Sequence, residues 1–214
     1  MNEKPIIEMN QINTIIFDLG GVLIDWNPSY VFNDLIPDEE RRAYFFEEVC
    51  PMHWNEQQDA GTLIALATEE RIALFPEWES EIRAYYGRWV EMLGEANHGT
   101  VEILKNLIDS PDYRVYALTN WSAETFPIAK SMERFHFLHW FEGTLVSGEE
   151  MMIKQQTEIF ELILSRYDID RNHAVFIDDN IKNVHASNAV GLPAIHFQSS
   201  EQLANELKIK GVSF

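Results

Sequence analysis

The sequence predicts an α/β protein in which a parallel sheet is layered between helices and interrupted by a segment made of helices alone. Three observations carry this. Short apolar runs alternate with helix-periodic stretches through the second half of the chain. The block from about residue 26 to 97 has helical spacing and no clear strand. Near the amino end, the apolar run Thr14-Ile15-Ile16-Phe17 is too short for a helix and delivers Asp18 into the turn at Gly20-Gly21. The expected division is a discontinuous α/β core over 13–25 and 98–214, with a helical unit over 26–97.

Taken in order, residues 1 to 12 read as a polar leader. Thr14 to Val22 reads as a buried strand ending at a reactive edge, because glycines after a strand let the backbone approach a ligand and turn its N–H groups towards an anion. Asn27 is the expected N-cap of the next helix, with Pro28 its first residue. Pro37-Asp38-Glu39-Glu40 opens a second helix, whose early acids suit the helix dipole and whose apolar face is Phe45, Phe46 and Val49. Asp59-Ala60-Gly61 marks a break, and Thr62 is the expected N-cap of a helix through Leu74. Pro76 to Leu93 reads as one more helix, with Ile82, Tyr85, Tyr86, Trp89 and Leu93 at helical spacing. This aromatic stripe is assigned to packing. Whether Trp26, Tyr30, His53 and Trp54 face an active site is left open by the pattern.

The second half returns to a strand-helix rhythm. Val101 to Ile108 reads as a helix, Arg114 to Leu118 as a strand leading into Thr119-Asn120, and Ala123 to Ser131 as a helix. A short strand follows at Gly143 to Ser147, then a helix at Glu158 to Tyr167, a buried strand at Ala174 to Ile177, a helix at Asn183 to Val190 and a last central strand at Ala194 to Phe197. Strands in such units run parallel through right-handed crossovers, so their carboxyl ends share one edge. Asp18, Thr119, Asp178 and Asp179 each sit at such an end, where an open parallel sheet binds its ligand.

Bulk properties narrow the function. The chain of 214 residues can bury a proper core. A formal net charge of -19 argues against a nucleic-acid or anionic-membrane surface. An acidic protein that binds phosphate therefore needs local positive charge. Cys50 is the single cysteine, which excludes an internal disulfide and a multi-cysteine metal site. No signal-peptide pattern or bilayer-length apolar stretch is present, and a cytoplasmic location is expected.

Asp18-Leu19-Gly20-Gly21-Val22, Leu118-Thr119-Asn120, Lys154 and Phe176-Ile177-Asp178-Asp179-Asn180 resemble, in order, the four motifs of the haloacid dehalogenase superfamily. The match spans about residues 14 to 197. The resemblance implies a three-layer α/β/α Rossmann-like core with an inserted α-helical cap, of the kind seen in sugar-phosphatase-like members with an Asp-x-Gly first motif. It implies Asp18 as nucleophile, which forms a covalent intermediate that water hydrolyses. It implies that Thr119, Asn120 and the Gly21 turn hold the phosphoryl group, and that Lys154 neutralises both the nucleophile and the phosphate oxygens. Mg²⁺ would be held by Asp18, the Gly20 carbonyl and the pair Asp178-Asp179, with Asp179 a direct ligand and Asp178 either a ligand or a support to one. Asn183 is a weaker supporting candidate. Read without the resemblance, Asp178-Asp179 could equally cap the following helix.

Two positions depart from the family pattern. Most family phosphatases carry a second aspartate two residues after the nucleophile as general acid and base, and here that residue is Gly20; Asp25, a metal-bound water, a cap residue or the substrate would have to substitute. Gln155-Gln156-Thr157 follows Lys154 where Pro-Asp-Pro is common, which bears on where Lys154 sits. The expected activity is a Mg²⁺-dependent phosphomonoesterase acting on a small organic phosphate such as a sugar phosphate, as a monomer or homodimer without nucleic-acid or membrane partners. The alternatives are a metal-free 2-haloacid dehalogenase, against which the paired acids speak, and a metabolite-binding module with little turnover, motivated by Gly20.

Overall fold

The computed structural model describes residues 11–213. Its strands are β1 (Thr14–Phe17), β2 (Ile24–Trp26), β3 (Leu93–Ala96), β4 (Arg114–Thr119), β5 (Gly143–Val146), β6 (Ala174–Asp178) and β7 (Ala194–His196). Five of them form one sheet in the order β5-β4-β1-β6-β7, with every neighbouring pair parallel. β1 lies at its centre, with Ile15 opposite both Val115 and Val175. That position explains the unbroken apolar run: Ile15, Ile16 and Phe17 are each 0% exposed because both faces of the strand are covered.

The two faces divide by strand alternation. Ile15 and Phe17 join a core with Ile103, Leu104 and Leu107 of α6 (His98–Asp109) and Leu203 and Leu207 of α11 (Ser200–Ile209). Ile16 points the other way, into a core with Phe176 and with Ile159, Phe160 and Ile163 of α9 (Thr157–Arg166), flanked by α10 (Ile181–Ala189). Burying each such side chain contributes about 1.5–3 kcal/mol. The result is helix, sheet, helix, as expected. One placement differs: the strand at Ala194 is at the sheet edge, paired only with β6. Position within a sheet is set by partners distant in sequence, which apolar content alone does not reveal.

Between β2 and β3 the chain forms α1 (Ser29–Leu35), α2 (Glu39–Tyr44), α3 (Met52–Asp59), α4 (Ile64–Leu74) and α5 (Glu79–Gly87). Asp38 caps α2 through Arg41 N–H at 2.8 Å, and Asn27 Oδ1 accepts from Ser29 N–H at 2.9 Å, so both start signals are used. Three details depart from the sequence reading. The second helix ends its α-helical turns at Tyr44 and continues as a π-turn over Phe45–Val49, from which Phe45 and Phe46 both pack on Phe32. The expected helix from Pro76 to Leu93 divides into a 3₁₀ turn, α5 and a second 3₁₀ turn. The block is also not strandless, because β3 pairs antiparallel with β2 to make a two-stranded ribbon. Leu93-Gly94-Glu95-Ala96 has little strand character of its own, and its pairing comes from Ile24–Trp26, about seventy positions earlier.

Thr62 does not cap α4. The first N–H of that helix, on Ile64, donates to Glu124 Oε1 at 2.7 Å, so a side chain from the sheet-bearing part supplies the cap. At the other end of the chain, Ile12 is buried in the core, so an amino-terminal leader ends before it; positions 1–10 lie outside the described residues.

Candidate active site

The carboxyl ends of β1 and β6 bring Asp18 and Asp178 to the same crevice, as the parallel topology requires. Lys154, in the loop between α8 (Ser147–Glu150) and α9, bridges them. Its Nζ donates to Asp18 Oδ1 at 2.6 Å and to Asp178 Oδ2 at 2.7 Å, and all three side chains are buried. The glutamines after Lys154 do not displace it. Gln156 Oε1 accepts from Ile153 N–H at 3.0 Å, Asn120 Oδ1 accepts from Lys154 N–H at 2.9 Å, and the loop is fixed with the ammonium between the acids.

Asp178 is saturated with donors. Besides Lys154 it accepts from Asn180 N–H at 2.8 Å and from Asn183 Nδ2, which lies 3.0 Å from each carboxylate oxygen. Asn183 therefore orients Asp178, and Asp178 orients Lys154. Helix α10 is capped by Asn180 Oδ1 on Lys182 N–H, so the capping alternative for the two aspartates falls to the next residue. Asp179 stays exposed to the crevice. Oxygen atoms of Asp18, Asp178 and Asp179 lie within 4.8 Å of one another, a set of hard donors of the kind that holds a divalent cation.

Electrostatics at this site are out of balance. Burial raises the Asp18 carboxyl above its usual range; Lys154 opposes that, and the charges of Asp178 and Asp179 add to it. Asp179 is raised by burial and by Asp178. For Lys154, burial favours the neutral amine, yet Asp178 and Asp18 outweigh it and hold the ammonium above its ordinary pKa. One ammonium faces three carboxylates. A further positive charge would relieve them.

The remaining sequence candidates fall into place unevenly. Gly20, Gly21 and Asn120 line a cavity of about 310 Å³ with Asp18, Lys154, Asp179 and Asn183. Gly21 has φ +74, and a Cβ there would lie 2.2 Å from Asp179 Oδ2, so only glycine leaves that carboxylate its position. Thr119 is buried at the end of β4 and does not line the cavity; its Oγ1 has no hydrogen-bond partner among the described residues. Asp25 does not line the cavity either, and its carboxylate instead accepts from the exposed Tyr30 hydroxyl. Of the four side chains left open, Trp26 alone lines the cavity, while Trp54 packs edge-on against Tyr85 within the helical segment.

The cavity roof was not identified from the sequence. Met52, Asn55, Glu56 and Asp59 of α3 line it, together with Tyr86, Trp89, Trp121 and Thr125. The α3 residues are spaced at i, i+3, i+4 and i+7, one face of a helix, and that polar stripe was a readable signal. Burial and the neighbouring Glu56 push the Asp59 carboxyl up to about 7, against the pull of Lys154 and the Ser122 N–H.

Comparison with known proteins concerns the fold and the family. The sesquiterpene phosphatase AstK of Aspergillus oryzae is 27% identical over 206 residues, covering 90% of this chain and 93% of the relative. Among solved structures, a predicted hydrolase of Porphyromonas gingivalis superposes with a TM-score of 0.73 at 19% identity, over 95% of this chain and 100% of its own. A Bacteroides thetaiotaomicron family enzyme in complex with magnesium and inorganic phosphate gives 0.66 at 22% identity, over 88% of this chain and 95% of its own. At such identities the structural likeness is one of fold. The model of the haloacid dehalogenase-like hydrolases matches residues 12–191, most of the chain, and the chain belongs to that family.

Proposed function

We propose that this chain is a Mg²⁺-dependent phosphomonoesterase that acts on a small organic phosphate through a phosphoaspartate on Asp18. The observation that carries the reading is Lys154 bridging Asp18 and Asp178 beneath a cavity, with Asp179 completing three carboxylates whose oxygens lie within 4.8 Å. The donor set fits Mg²⁺. Asp18 and Asp179, with the Gly20 carbonyl, would hold the ion, and Asp178, already saturated, supports Lys154. When bound, the ion supplies charge neutralisation to the phosphate.

Asp18 has the carboxyl oxygen opposite the Lys154 contact available for attack on phosphorus. Lys154 opposes the protonation that burial favours at Asp18 and stabilises charge gathering on the phosphoryl oxygens. Asn120 Nδ2 and the backbone at Gly21, which line the cavity, orient the group. The roof side chains Trp26, Met52, Trp89 and Trp121 favour a leaving group with an apolar or flat body. That agrees in character with the sesquiterpene phosphate substrates implied by the relative's name, and a sugar phosphate is the other substrate class to test.

The experiment is a panel of terpenyl, aryl, nucleotide and sugar phosphates with and without Mg²⁺, run on the wild type and on Asp18→Asn. Phosphate release that requires Mg²⁺ and falls at least about 10³-fold in Asp18→Asn is the expected result. Halide release from 2-haloacids without Mg²⁺ would turn the reading to a dehalogenase. Gly20 favours a second reading, a phosphate-ester binding module: saturable binding with no turnover across the panel would establish it.

A further inference from the structure

We infer that Asp59, delivered from the helical segment, protonates the leaving oxygen and then activates the attacking water, the role that Gly20 has no side chain to perform. The inference rests on the phosphomonoesterase reading and names the acid and base that reading lacks. A Cβ placed on Gly20 would meet no heavy atom within 4 Å, so on the floor side no neighbouring group fills that position. Asp59 looks into the same cavity from above.

Its placement is built from both parts of the molecule. The Asp59 carbonyl accepts from Ser147 Oγ at 2.5 Å, and Ser147 Oγ in turn accepts from Trp121 N–H at 2.9 Å, which ties the end of α3 to the loops after β4 and β5. The carboxylate is aimed by Asn55, whose Nδ2 donates to Asp59 Oδ2 at 3.0 Å, while the Tyr86 hydroxyl lies 3.0 Å from both Asn55 Oδ1 and Gln58 Oε1. Glu56 lines the same cavity, yet its carboxylate makes no hydrogen bond among the described residues, so nothing orients it. A general acid must be held within reach of the atom it serves, and Asp59 is the carboxyl that is held.

The groups facing Asp59 are Glu56 on its own helix, Lys154 from the loop below, and Tyr85 and Tyr86 on α5. A carboxyl held near neutrality can carry a proton into the first step and accept one in the second. In the first step an Asp18 oxygen bonds to phosphorus, the bond from phosphorus to the ester oxygen breaks, and its electron pair takes the proton of Asp59. In the second, water oxygen bonds to the same phosphorus while its proton passes to the Asp59 carboxylate. The bond from phosphorus to Asp18 breaks, inorganic phosphate leaves, and Asp59 is protonated again.

The test compares an alkyl phosphate with p-nitrophenyl phosphate, whose leaving group needs no proton, in the full-length wild type, Asp59→Asn and Asp59→Glu, with melting temperature checked for each. Asp59→Asn is expected to lose about 10²- to 10⁴-fold on the alkyl phosphate. On p-nitrophenyl phosphate it should keep a burst of one nitrophenol per protein, then turn over slowly as phosphoaspartate accumulates. The alkaline fall of the wild-type kcat/KM for the alkyl ester, near pH 7, should vanish in Asp59→Asn, and Asp59→Glu should recover part of the rate. Loss of the nitrophenol burst along with the alkyl activity, or no loss on either ester, with a hydrolytically active wild type, would overturn the role of Asp59 alone. A wild type that hydrolyses nothing on the panel would overturn the phosphomonoesterase reading and this inference with it.

Discussion

The floor and the roof of the cavity are built in opposite ways. The floor comes from strand ends of one sheet, where buried ion pairs to Lys154 fix Asp18 and Asp178, the latter with three donor residues. The roof comes from α3 and α5, and from Trp89, and it meets the sheet-bearing part across a shared apolar core and at points that include Ser147 on Asp59, Glu124 on Ile64, and the Trp89–Trp121 ring pair at 5.7 Å. A rigid floor suits preorganised charge at phosphorus. A roof of helix-borne side chains suits shaping of the space above that charge and exclusion of water from it.

The largest break in this comparison comes from the floor. Lys154→Met leaves Asp18 and Asp178 buried without their shared cation. A loss of about 3–5 kcal/mol is expected, read as a fall of roughly 10 °C in melting temperature, together with loss of activity. A roof substitution should never cost as much. Next comes Gly21→Ala, where φ +74 and the 2.2 Å approach to Asp179 Oδ2 force the carboxylate to move. About 1–2 kcal/mol of stability should be lost, and Mg²⁺ affinity, titrated calorimetrically, should weaken roughly 10- to 100-fold. Unchanged affinity would remove Asp179 from the ligand set.

The smallest effect sharpens the contrast from the other side. Ser147→Ala releases the end of α3 at a cost of about 1 kcal/mol. Turnover of an alkyl phosphate should drop roughly tenfold while the nitrophenol burst persists, since only the aim of the roof is altered. Stability should carry a pH signature as well. The Asp59 carboxyl is held well above its unfolded value, so folding is favoured while it is protonated, and that advantage is lost as pH rises towards about 7. The melting temperature of wild type relative to Asp59→Asn should therefore fall between roughly pH 4 and 7.

The same contrast explains what could be read without coordinates. Asp18, Asp178 and Asp179 sit at the ends of short apolar runs, and a parallel sheet leaves few ways to arrange such ends, whereas Lys154 was singled out only by its place in the ordered motif set. Asp59 belongs to a helix whose face is chosen by contacts distant in sequence. Its stripe with Met52, Asn55 and Glu56 was visible, but a polar helix stripe is ordinarily a solvated face, and only the position of α3 over the crevice makes it a wall. Thr62 shows the same limit: its expected capping role was taken by Glu124, from a turn 60 positions after Ile64 in the chain.

By itself the sequence determined the layered α/β frame and the order along the chain of the five strands of its parallel sheet, because burial on both faces of a strand leaves an unbroken apolar run in the chain. It also determined which acids gather at the sheet edge. Only the tertiary structure decided that Lys154 lies between Asp18 and Asp178, that the strand at Ala194 is an edge, and that Asp59 hangs over the site. Those are matters of distance between residues far apart in sequence, and such distances are set by packing of the whole chain.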